Sequence, residues 1–459
     1  MNEEEKLADY ALDPKKRKKE LGNSFREYEP KEREDEFRTA YHRDRDRIIW
    51  STAFRRMQNK TQVFAHDDDD HFRRRLTHSI EVAGIACSIA RQLELNEVAT
   101  DAIALGHDIG HAPFGHAGED ALNEILKEYK FPSGIRQPIP LKGFDHCAHA
   151  IEIVSRIETL NGTYPGLGLS FDIRDGILKH IYHKDKTTRT TEQLKEKPFS
   201  VLSKIVKCEK YKEYECNYGS LEAQCVWFAD KLTYLFDDME DAIRAKIFRF
   251  NIKDRESDVM KCVTGSSIGK VLGKAFREHY DTDMKSLYDK AASIQKKYPG
   301  DEIRQFLFWR NKAMTVLIND CVKATIGRIK NNSIRAVQDV LDCSVRLVDI
   351  SDDLRNAWRD SNASFYKKAM LEILFKHPIV LRHTYNAKQK VHRLFALYEK
   401  RFDLIPEDYR DNTKENYKNC HFCNNKNEND NVIETITIRN YIAGFTDAYV
   451  NQKLQEYIT

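Results

Sequence analysis

The 459-residue sequence predicts an all-α fold. Apolar residues recur at three- and four-residue spacing in long windows, which is the helical signature. No convincing run of period-two alternation marks a strand. Neither a phosphate-binding G-x-x-x-x-G-K-[ST] loop nor an internal repeat appears, so nothing calls for a parallel sheet or a solenoid.

Taken in order, residues 1–36 are almost entirely charged, with KKRKKE at 15–20, and read as a solvated arm; a nucleic-acid contact is the alternative. From Tyr41 onward, Ile48, Ile49, Ala53, Phe54 and Met57 fall at helical spacing, and their basic neighbours are expected to flank a cavity wall. HDDDDH at 66–71 reads as a polar loop. The helix expected over 79–93 is apolar on more than half of its circumference and should be central and buried. A second, over 97–108, delivers His107 and Asp108 at its end. Gly110, Pro113, Gly115 and Gly118 then break the chain before a helix beginning near Glu119.

Further helices are expected at about 145–160 and 172–183, followed by a polar linker over 184–199. Ser220 is placed to cap a long helix, SLEAQCVWFADKLTYLFDDMEDAIRAK. The remainder reads as helices near 264–278, 301–331, 333–349, 364–376, 385–401 and 433–456, with a polar loop over 411–431.

Composition narrows the classes of function. There are 75 basic and 72 acidic residues, a formal charge of +3, so no whole-protein field points to nucleic acid or membrane. No apolar run is long enough to span a bilayer. MNEEEKLADY has neither a basic n-region nor an apolar h-region, so no signal peptide is expected. Ten scattered cysteines fit a reduced, cytoplasmic protein. Cys420 and Cys423 make one CxxC without a second pair, short of a four-ligand zinc site.

Histidine is where the chemistry concentrates, because ten of the sixteen lie between His66 and His183. Imidazole and carboxylate together suit a borderline divalent cation. His107 and Asp108 are sequence neighbours and would point about 100° apart on a regular helix, so they can meet one ion only at a helix end, which Gly110 supplies. Two further ligands must come from elsewhere; His78 and Asp230 are the natural candidates. The alternative is that His78 caps its helix while His107 and Asp108 pair only with each other.

The pattern H…HD…D resembles the HD-domain metal-dependent phosphohydrolases. The surrounding segments resemble the deoxyguanosine triphosphate triphosphohydrolase family among them: RDRDRIIWSTAFRRMQNKTQVF, RRRLTHSIEVA, ALGHDIGHAPFGHAGE, SLEAQCVWFADKLTYLFDDMEDA, KQKVHRLFALYEKRFDLIPEDY and RNYIAGFTDAYV. They occur in family order from residue 41 to 450, about nine-tenths of the chain. The resemblance implies a charged arm over 1–36, an HD-domain helical core over 37–250 and a C-terminal helical region over 251–459 that packs on it.

It also implies that His78, His107, Asp108 and Asp230 hold one divalent ion, Mn²⁺ or Mg²⁺, and that a dNTP is cleaved to deoxynucleoside and tripolyphosphate. His116 and Glu119 would form the proton-transferring dyad, with His111 at the α-phosphate. Arg75 and Lys231 would bind the triphosphate, with Lys179 a further phosphate contact or a solvated lysine. Tyr234 and Asp238, on one face with Asp230, would clamp the deoxyribose; Gln58 would lie near sugar and base. Where the family often shows F-x-H-N-x-Q, this chain reads FDHCAHAIEIV: His146 is kept among the substrate contacts, while Cys147 and His149 put base preference in doubt. Implied partners are the dNTP and further copies of the chain in a homo-oligomer, hexamers included. A second nucleotide and single-stranded DNA are effector candidates, and no membrane is expected.

Overall fold

The computed structural model describes residues 7–26, 37–62, 72–129, 143–160, 164–179, 218–251, 300–360, 364–417 and 426–458, with a few single positions between 257 and 297. Regular structure among the described residues is helical apart from one two-residue antiparallel pair, Thr159–Leu160 with Tyr164–Pro165. The all-α expectation is met.

The chain opens with α1 (Pro14–Leu21), α2 (Ala40–Trp50) and the short α3 (Thr52–Arg56). Then come α4 (Arg75–Gln92), α5 (Glu97–Gly106), α6 (His116–Glu128) and α7 (His146–Glu152), the last running into a π-helical turn at Ile153–Ile157. Next are α8 (Phe171–Lys179) and the 24-residue α9 (Leu221–Arg244). Beyond these lie α10 (Glu302–Asn331), α11 (Val337–Asp342), α12 (Asp352–Arg355), α13 (Pro378–Lys400), α14 (Glu407–Tyr417), α15 (Lys426–Ala443) and α16 (Asp447–Ile458).

Two cores organise these helices. In the larger, α4, α5 and α9 pack against one another, with α2 and α8 laid over α5. Val82, Ala86 and Ile89 of α4, Ala102 and Ile103 of α5 and Val226, Leu235 and Phe236 of α9 are all buried there. Each of the larger side chains among them contributes about 1.5–3 kcal/mol on burial. Helix α9 starts as its sequence predicts: the Ser220 hydroxyl accepts from the Ala223 amide at 3.2 Å. The smaller core joins Ala121, Leu122 and Leu126 of α6 to Val391 and Leu394 of α13, Ile436 and Ile442 of α15 and Val450 of α16. Helix α6 therefore faces the C-terminal helices. No helix among the described residues is long and apolar enough to cross a membrane.

Several sequence expectations are corrected. The solvated arm over 1–36 is not what residues 7–26 form: only one side of KKRKKE faces water. Arg17 turns inward to pair with Asp172 at 2.8 Å, and Leu12, Leu21 and Phe25 are buried. The 411–431 loop is largely α14 and α15, because Tyr417 is buried and its hydroxyl accepts from Asn440 Nδ2 at 3.2 Å, contacts that outweigh the polar composition. The 433–456 helix is two helices, broken at Gly444.

The 333–349 helix shrinks to α11, because the amides of Leu347 and Val348 donate to Gln224 Oε1 instead of to a helix ladder. Helix α5 stops at Gly106, two residues before the expected end, and α13 starts at Pro378, a residue whose fixed φ suits a first turn. The helix expected over 264–278, the linker over 184–199, the HDDDDH loop, Cys420 and Cys423 lie outside the described residues.

Candidate active site

The first side-chain group forms where three helices of the larger core meet. His78 comes from the first turn of α4, His107 from the C-terminal end of α5 and Asp230 from the middle of α9; one ligand atom from each lies within 4.8 Å of the others. His78 Nε2 is 3.2 Å from Asp230 Oδ1, and His107 Nε2 is 3.8 Å from the same oxygen. The His107 tautomer is set from behind: its Nδ1–H donates to the Ala104 carbonyl at 2.6 Å, which leaves the Nε2 lone pair facing the carboxylates.

Asp108 lies alongside, with Oδ1 3.4 Å from His107 Nε2. Its carboxylate is also held by Arg75 Nη1 at 2.8 Å and by His111 Nε2 at 3.2 Å. Burial alone would raise the Asp108 pKa, but His107, Arg75 and His111 hold it well below the usual carboxylate range. Burial would depress His78; its pairing with the accepting carboxylates of Asp230 and Asp237 overcomes that and pushes its pKa up to about 10. Three carboxylates around two imidazoles thus draw positive charge into a dry site.

The second group is His111, His116, Glu119 and His146, centred on one carboxylate. His146 Nδ1 is 2.8 Å and His116 Nδ1 3.2 Å from Glu119 Oε2, with His111 Nδ1 3.9 Å away. The His111 and His146 rings stack, with centroids 3.8 Å apart and planes 16° from parallel. Stacked imidazoles direct their in-plane lone pairs side by side. An ion at about 2.1 Å from a nitrogen of each would sit between the planes and off both lone pairs. The geometry suits shared protons rather than an ion held by both rings.

Burial would raise Glu119, but His146 and its neighbours hold its pKa well below the usual value. Burial also opposes charge on His146, which Cys147 and Glu119 nevertheless raise well above 6.5. His111 moves the other way: burial, Arg75 and His146 depress it. His116 is the accessible member, its side chain 61% exposed.

The turn joining the two groups has its own constraints. Phe114 and Gly115 adopt φ of 62° and 58°. A Cβ on Gly115 would lie 2.6 Å from Arg75 Nη2, so glycine there makes room for the guanidinium. At Gly110 a Cβ would lie 1.9 Å from the His146 carbonyl, and its absence lets α7 close on the turn.

The other expected residues divide. Arg75 is buried, and its Nε has no hydrogen-bond partner among the described residues. Lys231 sits at the rim, its Nζ 3.2 Å from Asp230 Oδ2. Tyr234 and Asp238 continue the Asp230 face of α9, as their spacing requires. Burial, then Asp241 and Asp237, raise Asp238 well above the usual range, and interaction with the Tyr234 hydroxyl offsets only part of that. Gln58 is exposed and its backbone carbonyl accepts from Arg74 Nη1 at 2.9 Å; no described contact ties its side chain to either group. Lys179 is buried, not solvated, with its ammonium 3.1 Å from Asp175.

Sequence reasoning missed four residues. Asp237, one position before Asp238, stands 3.5 Å behind His78 Nδ1. Tyr366 neighbours Tyr234 and helps to raise its pKa, after burial and Asp238. Lys60 and Asp447 bond to the histidine turn. Lys60 and Asp447 lie inside the quoted segments QNKTQVF and GFTDAYV, so a signal was available; Tyr366 carried none.

Residues 75–235 match the HD domain and residues 359–456 the phosphohydrolase-associated domain. A deoxyguanosinetriphosphate triphosphohydrolase-like protein of Bordetella pertussis is 32% identical over 452 residues, covering 98% of this chain and 94% of that one. Proteins of the same description from Bartonella quintana and Rickettsia bellii are 31% identical over 425 residues and 30% over 454. They cover 92% and 98% of this chain, and 88% and 97% of their own lengths. The chain belongs to the deoxyguanosinetriphosphate triphosphohydrolase-like family of HD-type phosphohydrolases.

Proposed function

We propose that the protein is a metal-dependent dNTP triphosphohydrolase that cleaves dGTP to deoxyguanosine and tripolyphosphate by water attack at the α-phosphorus. The observation that supports this most is the juxtaposition of two different groups. A buried imidazole–carboxylate set at His78, His107 and Asp230, with Asp108 alongside His107, adjoins a proton-sharing set at His116, Glu119, His111 and His146. Hydrolysis of a phosphoester needs both functions within reach of one phosphorus.

The residues fit a divalent cation. Two imidazoles and the Asp108 and Asp230 carboxylates form a mixed nitrogen and oxygen set, the His107 tautomer is preset, and positive charge is wanted there. We assign Mn²⁺ or Mg²⁺. The bound ion supplies Lewis-acid polarisation of a phosphate oxygen and lowers the pKa of water.

The chain's own residues do the rest. Arg75, with Nη1 on Asp108 and Nε unpartnered, presents an N–H to a phosphate oxygen, and Lys231 adds charge at the rim. His116 moves a proton at Nε2 while Glu119 holds its Nδ1, and the exposure of His116 leaves that nitrogen open to substrate. His111, kept neutral by its surroundings, donates or accepts at the α-phosphate without adding fixed charge. Tyr234 packs under the deoxyribose and excludes a 2′-hydroxyl, while Asp238 takes the 3′-hydroxyl. The neutral Asp238 carboxyl favoured by burial presents a carbonyl oxygen to accept it.

The test is product identity. The purified protein is incubated with each dNTP and with GTP in Mn²⁺ or Mg²⁺, and the products are resolved by ion exchange. Deoxynucleoside with tripolyphosphate, dGTP ranking first and GTP left intact, is the expected result. Monophosphate or orthophosphate would point instead to another HD-type nucleotide phosphohydrolase. No turnover, even with mixed dNTPs present as activators, would leave a nucleotide-sensing role.

A further inference from the structure

The turn that carries His111 and leads into His116 is fastened from outside the HD domain. Lys60 Nζ donates to the His111 carbonyl at 2.5 Å and to the Ala443 carbonyl, at the end of α15, at 2.9 Å. Asp447, the first residue of α16, accepts from the Phe114 amide on Oδ1 at 2.7 Å and from the Thr61 amide on Oδ2 at 2.9 Å. Four bonds therefore join three segments far apart in sequence: 60–61, 111–114 and 443–447. Lys60 is 4% exposed and Asp447 7%, so water does not compete for them.

The use of Asp447 is notable for what it forgoes. An aspartate in a first helical turn ordinarily stabilises its own helix terminus. Here the neighbouring Thr446 takes over that task, its hydroxyl accepting from the Tyr449 amide at 3.3 Å, and both Asp447 oxygens reach across to the turn and to residue 61. What they hold does not hold itself. Phe114 has a φ of 62°, a left-handed conformation that a non-glycine residue keeps only when its surroundings impose it. Its ring packs into the smaller core, with Lys390 5.3 Å from the ring centre.

We propose that Lys60 and Asp447 are positioning residues, which fasten the 111–115 turn to the C-terminal helices and so set His111 and His116 for proton transfer. The inference rests on the reaction proposed above. It gives the C-terminal region a part in catalysis through the proton-sharing group, and none in holding the cation, since the bonds of Ala443 and Asp447 are with Lys60, Thr61 and the turn rather than with His78, His107, Asp108 or Asp230.

The experiment compares Asp447→Asn and Lys60→Met with wild type by steady-state kinetics on dGTP, Mn²⁺ titration and hydrogen exchange read by peptide mass spectrometry. In both variants kcat should fall roughly 10- to 100-fold, the scale of a misplaced catalytic group, with KM and Mn²⁺ affinity unchanged. Faster exchange should be confined to peptides over 109–118 and 443–449, leaving 78–92 and 221–244 protected. Thr446→Val is the structural control: it removes the α16 cap but not the fastening, and should lower Tm without lowering kcat.

Unchanged kcat in folded variants would overturn the proposal. So would loss of Mn²⁺ affinity alongside kcat, or exchange that quickens throughout. If one variant fails to fold, the other decides. If wild type turns over no nucleotide, the proposed reaction fails on its own and exchange alone judges the fastening: local loosening keeps it, uniform or absent loosening removes it.

Discussion

The two side-chain groups differ in what holds them. His78, His107 and Asp230 project from α4, α5 and α9, helices packed on one another in the larger core, and all three are buried. Their orientation is fixed by short-range backing, as with Ala104 behind His107. His111, His116 and Glu119 lie on a turn with left-handed residues and on a helix, α6, whose apolar face belongs to the smaller core. One of them is largely exposed. A set built for a cation tolerates little play, and the tightly packed helices provide that. A set built to pass protons must meet solvent and substrate, and its geometry is borrowed from elements on both sides.

Substitutions can break or sharpen this contrast. The largest effect should come from Asp230→Asn, which removes a carboxylate shared by both imidazoles. Mn²⁺ binding by calorimetry and turnover of dGTP should both disappear, and so should the rise in Tm that Mn²⁺ is expected to give wild type by mass action. Persisting Mn²⁺ affinity would sink the assignment of this set. His116→Ala should lower kcat by roughly 10²–10⁴-fold, the usual worth of a proton-transfer group, while Mn²⁺ binding stays intact. A parallel loss of metal affinity would mean that the two groups are one. Asp237→Asn, behind His78, should weaken Mn²⁺ by about 10–100-fold and leave the pH dependence of kcat in place. The smallest effect is expected at the surface between α6 and α13. Lys388, near Asp120 at 3.3 Å and Glu124 at 2.7 Å, should contribute under about 1 kcal/mol, so Lys388→Met should barely shift a urea midpoint.

The larger core was legible in the sequence because it depends on local pattern, whereas the cation-binding candidates were separated from a simple His107–Asp108 pair only by the family resemblance. The apolar stripe of 79–93, the helix end before Gly110 and the shared face of Asp230, Tyr234 and Asp238 are periodicity read directly. What the sequence obscured depends on distant contacts. Arg17 finds Asp172 from inside a run of lysines, Tyr417 buries itself in a segment of polar composition, and Gln224 captures the amides of Leu347 and Val348 where helix would otherwise continue. Asp447 is a case at the site: the segment GFTDAYV marks it as part of the family pattern, but only the fold brings Thr61 and Phe114 to it. The stacking of His111 on His146, which separates a proton-sharing cluster from a cation site, likewise has no trace in their spacing.

The most direct measurement is isotopic: turnover of dGTP in H₂¹⁸O with Mn²⁺, with both products analysed by mass spectrometry. Water attack at the α-phosphorus, with the nucleoside leaving, puts one ¹⁸O into tripolyphosphate and none into deoxyguanosine. Label in the nucleoside, or pyrophosphate and dGMP in place of tripolyphosphate, would contradict the reaction assigned to this site.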